Sequence, residues 1–174
     1  VYRNPVICQQ KEQKEIIYTE EQRTAIQTFS RDYEQGLRKT YLLYGVTGSG
    51  KTEVYMEMIA KVLSEGRQAI VLIPEIALTY QTVMRFYTRF GERVSILNSR
   101  MSQGERYDQM ERVKKGEVDI MIGPRSALFT PFEKLGLIVI DEEHEPTYKS
   151  EQVPRFHARE TAIERARMEG ASVV

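Results

Sequence analysis

The amino-acid sequence predicts an α/β domain with a mostly parallel β-sheet and helices on both faces of that sheet. Two observations lead to this prediction: short apolar runs alternate with segments of helical periodicity, and a glycine-rich turn joins the first apolar run to a helix. The length of 174 residues, with 41% apolar and 29% charged residues, suits one globular domain. Ligands of such sheets bind at the carboxyl ends of the strands.

The first half of the chain shows the alternation clearly. Thr19 opens a T-x-x-Q capping box, and a helical pattern follows it. Residues 41–44 form a predicted strand that enters the glycine-rich turn, and the helix Lys51–Ser64 follows and stops before Gly66. Pro74 marks a further helix start, after a strand predicted at residues 69–73.

The second half continues the same alternation. Ser102 and Glu105 have the spacing of a capping box, which predicts a helix that Gly116 ends. A last helix is predicted at residues 157–169, and the final residues read as the beginning of an apolar strand. The other predicted strands are residues 94–97, 118–122 and 137–140.

Charge and cysteine content exclude several classes of protein. The 25 basic and 25 acidic side chains give a net charge of zero, so a nucleic-acid contact would depend on a local patch. The single cysteine, Cys8, excludes an intramolecular disulfide and a cysteine-rich zinc site within this chain. No apolar run approaches the ~20 residues that span a bilayer, and no signal peptide is recognisable, so we expect a cytoplasmic protein without a membrane partner.

Residues 45–52 match the P-loop pattern G-x-x-x-x-G-K-[ST] at every fixed position, between a predicted strand and a helix. Its glycines let backbone N–H groups point at phosphate oxygens, and the helix N-terminus adds partial positive charge. Lys51 adds a full charge for the β- and γ-phosphates, and the Thr52 hydroxyl suits Mg²⁺. The pattern assigns ATP binding to Gly45, Thr47, Gly48, Ser49, Gly50, Lys51 and Thr52. The alternative is a glycine-rich turn that binds nothing.

A second acidic motif follows the predicted strand at residues 137–140. We expect that strand to lie beside the P-loop strand, so that Asp141 at its tip reaches the hydrated Mg²⁺. Glu142 can then orient and deprotonate the attacking water, which favours an ATPase over a kinase. The alternative is an acidic strand end in solvent. His144 either relays the nucleotide state to a neighbouring domain or satisfies a local hydrogen bond.

Five motifs in order resemble a known helicase family. They are GVTGSGKTEVY at residues 45–55, PEIALT at 74–79, GPRSALF at 123–129, DEEHE at 141–145 and PRFHARE at 154–160. The acidic motif resembles the DExH box of superfamily 2 helicases, and the whole set resembles the primosomal replication-restart DNA helicases from residue 19 to the end. The resemblance implies a RecA-like P-loop NTPase domain, the first motor domain of a 3′-to-5′ DNA helicase that couples ATP hydrolysis to translocation on single-stranded DNA.

The same resemblance implies roles for residues outside the P-loop. Gln22 takes the position of an adenine-reading glutamine, although it also completes the capping box with Thr19. Thr79 takes the position of a contact to the DNA backbone; the alternative is a helix start with Ile76 and Ala77 in the core. Residues implied for DNA binding or coupling are Thr79, Arg125, Ser126, His144, Tyr148, Phe156 and His157. For the loop residues among them, a structural role or packing onto their own domain is the alternative.

Two positions depart from the pattern of that family. The turn at Asn98, Ser99 and Arg100 differs from the His-Ser type expected after the third strand and is given no function, and Glu160 replaces an expected aspartate, a mild change that hardly affects the assignment. The arginines at i, i+4 spacing are predicted to form a solvated helix face. They are Arg85, Arg89 and Arg93.

The resemblance also implies a larger protein. We expect residues 1–18 to be a linker or N-terminal arm and residues 19–174 to be the ATP-binding domain, with the second motor domain, an arginine that reaches the γ-phosphate and a zinc region lying elsewhere in the parent. The isolated fragment should bind nucleotide weakly, hydrolyse it slowly and not unwind DNA. Implied partners are single-stranded and forked DNA, the second helicase domain, primosome proteins and single-stranded-DNA-binding protein. A P-loop kinase or phosphotransferase and a non-catalytic nucleotide switch are the alternative functions.

Overall fold

The computed structural model describes residues 18–43, 50–141 and 158–174, and within them the chain forms a five-stranded sheet. Its strands in chain order are β1 (Gln68–Leu72), β2 (Val94–Ile96), β3 (Ile120–Gly123), β4 (Leu135–Ile140) and β5 (Ser172–Val173). The spatial order is β2-β3-β1-β4-β5, and each neighbouring pair is parallel. The α/β prediction is therefore confirmed.

Five α-helices connect and flank these strands in the described ranges. They are α1 (Glu20–Glu34), α2 (Lys51–Ser64), α3 (Tyr80–Phe90), α4 (Gln103–Lys114) and α5 (Ala158–Glu169). Both predicted capping boxes are present, at Thr19 and at Ser102, because each hydroxyl accepts a backbone N–H three residues later and each N3 side chain bonds back to its cap. Over the same ranges, no helix combines the length and the apolar character that crossing a membrane requires.

The sheet separates two hydrophobic clusters, as the period of two along a strand requires. Ala69 and Val71 of β1 face the side covered by α1, α2 and α3, whereas Ile70 and Leu72 face the side covered by α4 and α5. On that second side, α5 presents three buried alanines at intervals of four, which let the helix approach the sheet closely. They are Ala158, Ala162 and Ala166. Helices on both faces are thus confirmed.

The region before the P-loop differs from the prediction. Thr40 forms an isolated parallel bridge with Val173, but residues 41–43 are not in a strand, and residue 44 lies outside the described residues. β5 also lies between β4 and this segment: the Val173 N–H donates to Lys39 O at 3.0 Å, and the Val174 N–H donates to Ile138 O at 2.9 Å. The expectation that the strand of Asp141 is next to the P-loop strand was therefore wrong, because β5 uses its backbone groups on both sides.

The arginines predicted to form a solvated helix face are instead ion-paired. Arg93 lies beyond α3, in the 3₁₀ turn Gly91–Arg93, and the Arg89 side chain is only 20% exposed. The reason is that acidic side chains lie beside all three arginines, two of these side chains on α2 and the third just before β3. The pairs are Arg85 with Glu53, Arg89 with Glu57 and Arg93 with Asp119.

Candidate functional site

The predicted site residues within the described ranges gather at the carboxyl edge of the sheet, in two neighbouring groups. Lys51 and Thr52 begin α2, and Asp141 directly follows β4. Thr79 lies at the end of the connection that follows β1, and Arg125 comes directly after β3. Because β1 and β4 are adjacent, the phosphate-and-metal residues and the predicted DNA residues share one edge, as expected for ligands of a parallel sheet.

The glutamine predicted to read adenine lies against the end of the P-loop. Gly50 has a left-handed backbone with φ of 81°, and a methyl group added to its Cα would collide with Nε2 of Gln22. The Oε1 atom of Gln22 accepts the N–H of Thr19 at 2.8 Å. An amide group carries both an acceptor oxygen and N–H donors, so capping through Oε1 does not by itself exclude a contact with a base. The geometry is compatible with both roles weighed for this residue.

Asp141 is held from two sides. Its backbone N–H donates to Leu72 O at 2.9 Å, which extends the pairing of β4 with β1 by one residue. The hydroxyl of Tyr55 donates to its Oδ2 at 3.0 Å. The carboxylate thus has a defined position at the strand tip, next to the helix that carries Lys51 and Thr52.

These oxygen ligands fit a divalent cation. Mg²⁺ prefers hard oxygen ligands and is usually held by one or two carboxylates together with substrate phosphates and water. Asp141 offers a carboxylate and Thr52 a hydroxyl, and the described residues contain no separate cluster of three or more histidine, cysteine or acidic side chains for a metal. The residues at this edge therefore suit a cation that arrives with a nucleotide.

Thr79 begins α3, but its hydroxyl is already engaged in capping. Its Oγ1 accepts the backbone N–H of Thr82 at 3.3 Å and lies 3.1 Å from Thr82 Oγ1, which itself donates to Ala77 O. A phosphate at this helix start would meet backbone N–H groups that lack partners within the helix. The alternative that places Ile76 and Ala77 in the core was wrong for Ile76, which is 86% exposed, whereas Ala77 does pack against the core.

A groove of about 560 Å³ lies beside Thr79. It is lined by Glu75, Ile76, Leu78, Thr79, Tyr80, Asn98, Ser99 and Arg100. The turn that follows β2 forms one wall, because the Ser99 N–H donates to Glu75 Oε1 at 2.5 Å. The Ser99 hydrogen bonds hold the pKa of Glu75 below its usual value, and the nearby charges of Arg100 and Arg106 act in the same direction. The turn at residues 98–100, to which the sequence assigned no function, therefore lies at the carboxyl edge of the sheet and lines this groove.

Arg125 and Ser126 begin the 3₁₀ helix Arg125–Phe129, which follows β3. Ala127 and Leu128 anchor that helix in the core, while Ser126 is exposed and Arg125 is half-buried. Since β3 lies between β2 and β1, these two residues lie on the same side of the edge as the groove. The remaining site predictions fall outside the described residues. They are Gly45, Thr47, Gly48, Ser49, Glu142, His144, Tyr148, Phe156 and His157.

Two contributors were missed in the sequence. Tyr55 was not singled out, although it lies three residues after Thr52 on a helix and therefore near the same face. The turn at Ser99 was given no function because its residues differ from those of the expected motif. Its position directly after a strand was the signal that could have identified it.

Comparisons with known proteins identify the family of the chain. A family model described as DEAD/DEAH box helicase matches residues 19–167. The chain is 48% identical over all of its length to Replication restart protein PriA of Bacillus subtilis (strain 168), and 44% identical over 88% of its length to the protein of that name from Chlamydia pneumoniae. It spans about a fifth of the length of these relatives, 22% and 21%.

A solved structure shares the fold. The crystal structure of the DUF1998 helicase MrfA matches 91% of this chain and 26% of its own, with a TM-score of 0.56 at 20% sequence identity. At that identity the likeness concerns the fold, and it agrees with the RecA-like α/β architecture expected from the sequence.

Proposed function

This chain belongs to the DEAD/DEAH box helicase family, and on that premise we propose that it is the first motor domain of an ATP-dependent 3′-to-5′ DNA helicase that acts in replication restart. One observation carries the proposal: Lys51, Thr52 and Asp141 share the carboxyl edge of the sheet with the groove beside Thr79. Nucleotide and DNA would therefore bind side by side on one rigid edge.

The nucleotide half would bind ATP with Mg²⁺. Lys51 contacts the β- and γ-phosphates, and the P-loop residues Gly45, Thr47, Gly48 and Ser49 surround them with backbone N–H groups. Asp141 and Thr52 hold the cation, which neutralises charge that develops on the phosphates. Glu142 orients the attacking water, and Gln22 reads the adenine base. The position of Lys51 and Thr52 at the start of α2, of Asp141 at the tip of β4 and of Gln22 beside Gly50 supports these proposed roles.

The DNA half would bind the backbone of single-stranded DNA. The N-terminus of α3 at Thr79 and the side chains of Arg125 and Ser126 contact phosphates, and Arg100 adds a positive charge to the groove. Tyr80, 65% exposed at the same groove, offers a flat surface on which a base can stack. His144, Tyr148, Phe156 and His157 would couple DNA binding to hydrolysis.

The partners follow from the same proposal. They are single-stranded and forked DNA, the second helicase domain of a longer chain, primosome proteins and single-stranded-DNA-binding protein, with the cytoplasm as the site of action. The relatives named Replication restart protein PriA support this assignment, since the identity extends over the whole chain.

Steady-state ATP hydrolysis by the full-length protein that contains this chain tests the proposal. Hydrolysis should rise when forked or single-stranded DNA is added, because DNA and nucleotide occupy one edge of the sheet. Hydrolysis at the same rate with and without DNA would argue against a nucleic-acid motor. Phosphate transfer to an acceptor other than water would indicate a kinase.

The role of Gln22 can be separated from its capping role. Replacing Gln22 with alanine should lower the preference for ATP over GTP by about 3- to 10-fold, the value of one or two hydrogen bonds. Replacing Thr19 with alanine removes the capping box at a cost of about 1 kcal/mol but leaves the base contact in place. Competition binding of the two nucleotides measures the preference. If Thr19→Ala lowered the preference for ATP over GTP as much as Gln22→Ala, the effect of Gln22 would be due to helix capping and not to a contact with the base.

Glu75 gives a pH prediction. Because its pKa lies below the ordinary value of 4.5, the stabilising bond to Ser99 is fully present above pH 4.5 and is lost as the pH falls through the lowered pKa. The backbone amide of Ser99, followed by nuclear magnetic resonance in the 174-residue chain, should titrate with a midpoint below 4.5. The transition should vanish in Glu75→Gln. A titration midpoint at or above pH 4.5 would contradict the hydrogen bond between the Ser99 N–H and the Glu75 carboxylate.

A further inference from the structure

Tyr55 has a position that its hydrophobic surroundings do not by themselves explain. It lies on α2 and is 3% exposed, and its ring packs nearly parallel to that of Phe86, with 6.3 Å between ring centroids and 23° between planes. A phenylalanine would provide the same packing. A phenylalanine would lack the hydroxyl, which donates a hydrogen bond of 3.0 Å to Oδ2 of Asp141.

This bond joins the two elements that hold the proposed cation. Thr52 lies one turn before Tyr55 on α2, and Asp141 lies at the tip of β4. Fixing Oδ2 sets the plane of the carboxylate and therefore the direction of its other oxygen. The backbone bond from Asp141 to Leu72 O fixes the strand tip, whereas the bond from Tyr55 acts on the carboxylate itself.

We propose that Tyr55 is a positioning residue for the cation site, which orients the Asp141 carboxylate toward the metal that accompanies the nucleotide. The inference rests on the proposed function, since it requires that Asp141 serve the cation. Groups that orient metal ligands through hydrogen bonds typically change metal affinity by about 10- to 100-fold when removed. In this role Tyr55 acts through Asp141.

The test measures binding rather than hydrolysis. In the full-length protein that contains this chain, Mg²⁺ is titrated into a chelator-treated mixture of protein and a fluorescent ATP analogue, and the half-maximal Mg²⁺ concentration is recorded. Tyr55→Phe should raise that concentration by about 10-fold while the affinity for the analogue without Mg²⁺ stays unchanged. An unchanged Mg²⁺ midpoint would overturn the proposal. An equal loss of affinity with and without Mg²⁺ would also overturn it, because it would indicate general distortion.

The chain offers a matched control. The hydroxyl of Tyr41 donates to Oδ2 of Asp32 at 2.8 Å, a tyrosine–aspartate bond away from the strand tip. Tyr41→Phe should leave the Mg²⁺ midpoint at the wild-type value, and a shift equal to that of Tyr55→Phe would count against a specific role.

The variant Asp141→Asn distinguishes a failure of the role proposed for Tyr55 from a failure of the proposed function on which that role rests. If Tyr55 acts through Asp141, adding Tyr55→Phe to Asp141→Asn should cause no further shift of the Mg²⁺ midpoint, and a full additional shift would overturn the inference. If wild-type binding does not respond to Mg²⁺, or if Asp141→Asn leaves the response intact, the cation site itself fails. If Asp141→Asn removes the response and Tyr55→Phe does not alter it, only the role of Tyr55 fails.

Discussion

Replacing Lys51 with alanine in the full-length protein that contains this chain is expected to lower the rate of ATP hydrolysis by about 100- to 1000-fold. Lys51 is the first residue of α2, directly after the left-handed Gly50, so its charge lies where the helix N-terminus also favours a polyphosphate. The charge lost on substitution is one that stabilises the phosphates as negative charge shifts during transfer. Steady-state turnover at saturating ATP measures the change.

A second lysine variant controls for the loss of a positive charge. Lys114 lies in the last turn of α4, is mostly exposed and takes no part in the proposed site. Lys114→Ala should retain the wild-type rate, with or without DNA. If Lys51→Ala kept more than half of the activity, the P-loop would not be the site of hydrolysis.

Replacing Phe29 with alanine is expected to destabilise the domain by about 3–5 kcal/mol. Phe29 is fully buried where α1 meets the rest of the core, and its ring centroid lies 5.5 Å from that of Tyr33 and 5.4 Å from that of Tyr41. The loss is a large part of the about 5–15 kcal/mol that stabilises a typical domain. Urea denaturation of the 174-residue chain measures the free energy of unfolding.

The matched variant is Tyr107→Ala on α4, an aromatic side chain that is 64% exposed. Surface changes of this kind usually alter stability by less than about 0.5 kcal/mol. Because α1 also carries Gln22, Phe29→Ala should weaken nucleotide binding as well, whereas Tyr107→Ala should not. Similar free energies of unfolding for the two variants would mean that α1 is not packed as described.

Local signals account for the parts of this domain that could be predicted from sequence. Thr19 and Ser102 begin helices because their hydroxyls satisfy N–H groups three residues later, an interaction contained within four residues. The predicted bounds of α2 match the structure for a similar reason, since a glycine-rich turn and Gly66 enclose it. Parallel strands follow from the alternation of apolar runs with helices.

Contacts between distant residues account for what was missed. The bond of Tyr55 to Asp141 joins positions 86 residues apart, and that of Ser99 to Glu75 joins positions 24 apart, so neither spacing carries a local pattern. The exposure of Ile76 could not be predicted from sequence, because an apolar residue after a strand is as typical of a buried helix as of an exposed turn. The strand order could not be predicted for the same reason. Thr40 and Val173 pair in the structure although they lie far apart in the sequence.

The position of β5 has a consequence for the order in which the molecule assembles. The segment before the P-loop is synthesised early, yet its bridging partner, Val173, is synthesised more than a hundred residues later. Until β5 is inserted, that segment has no described pairing to the sheet, although the bond of Tyr55 to Asp141 joins α2 to β4 without β5. Closing so long a loop is entropically costly, so this pairing should form late in folding. The segment that leads toward Gly50 would then take its final place at the end of folding, after most of the hydrophobic core has formed.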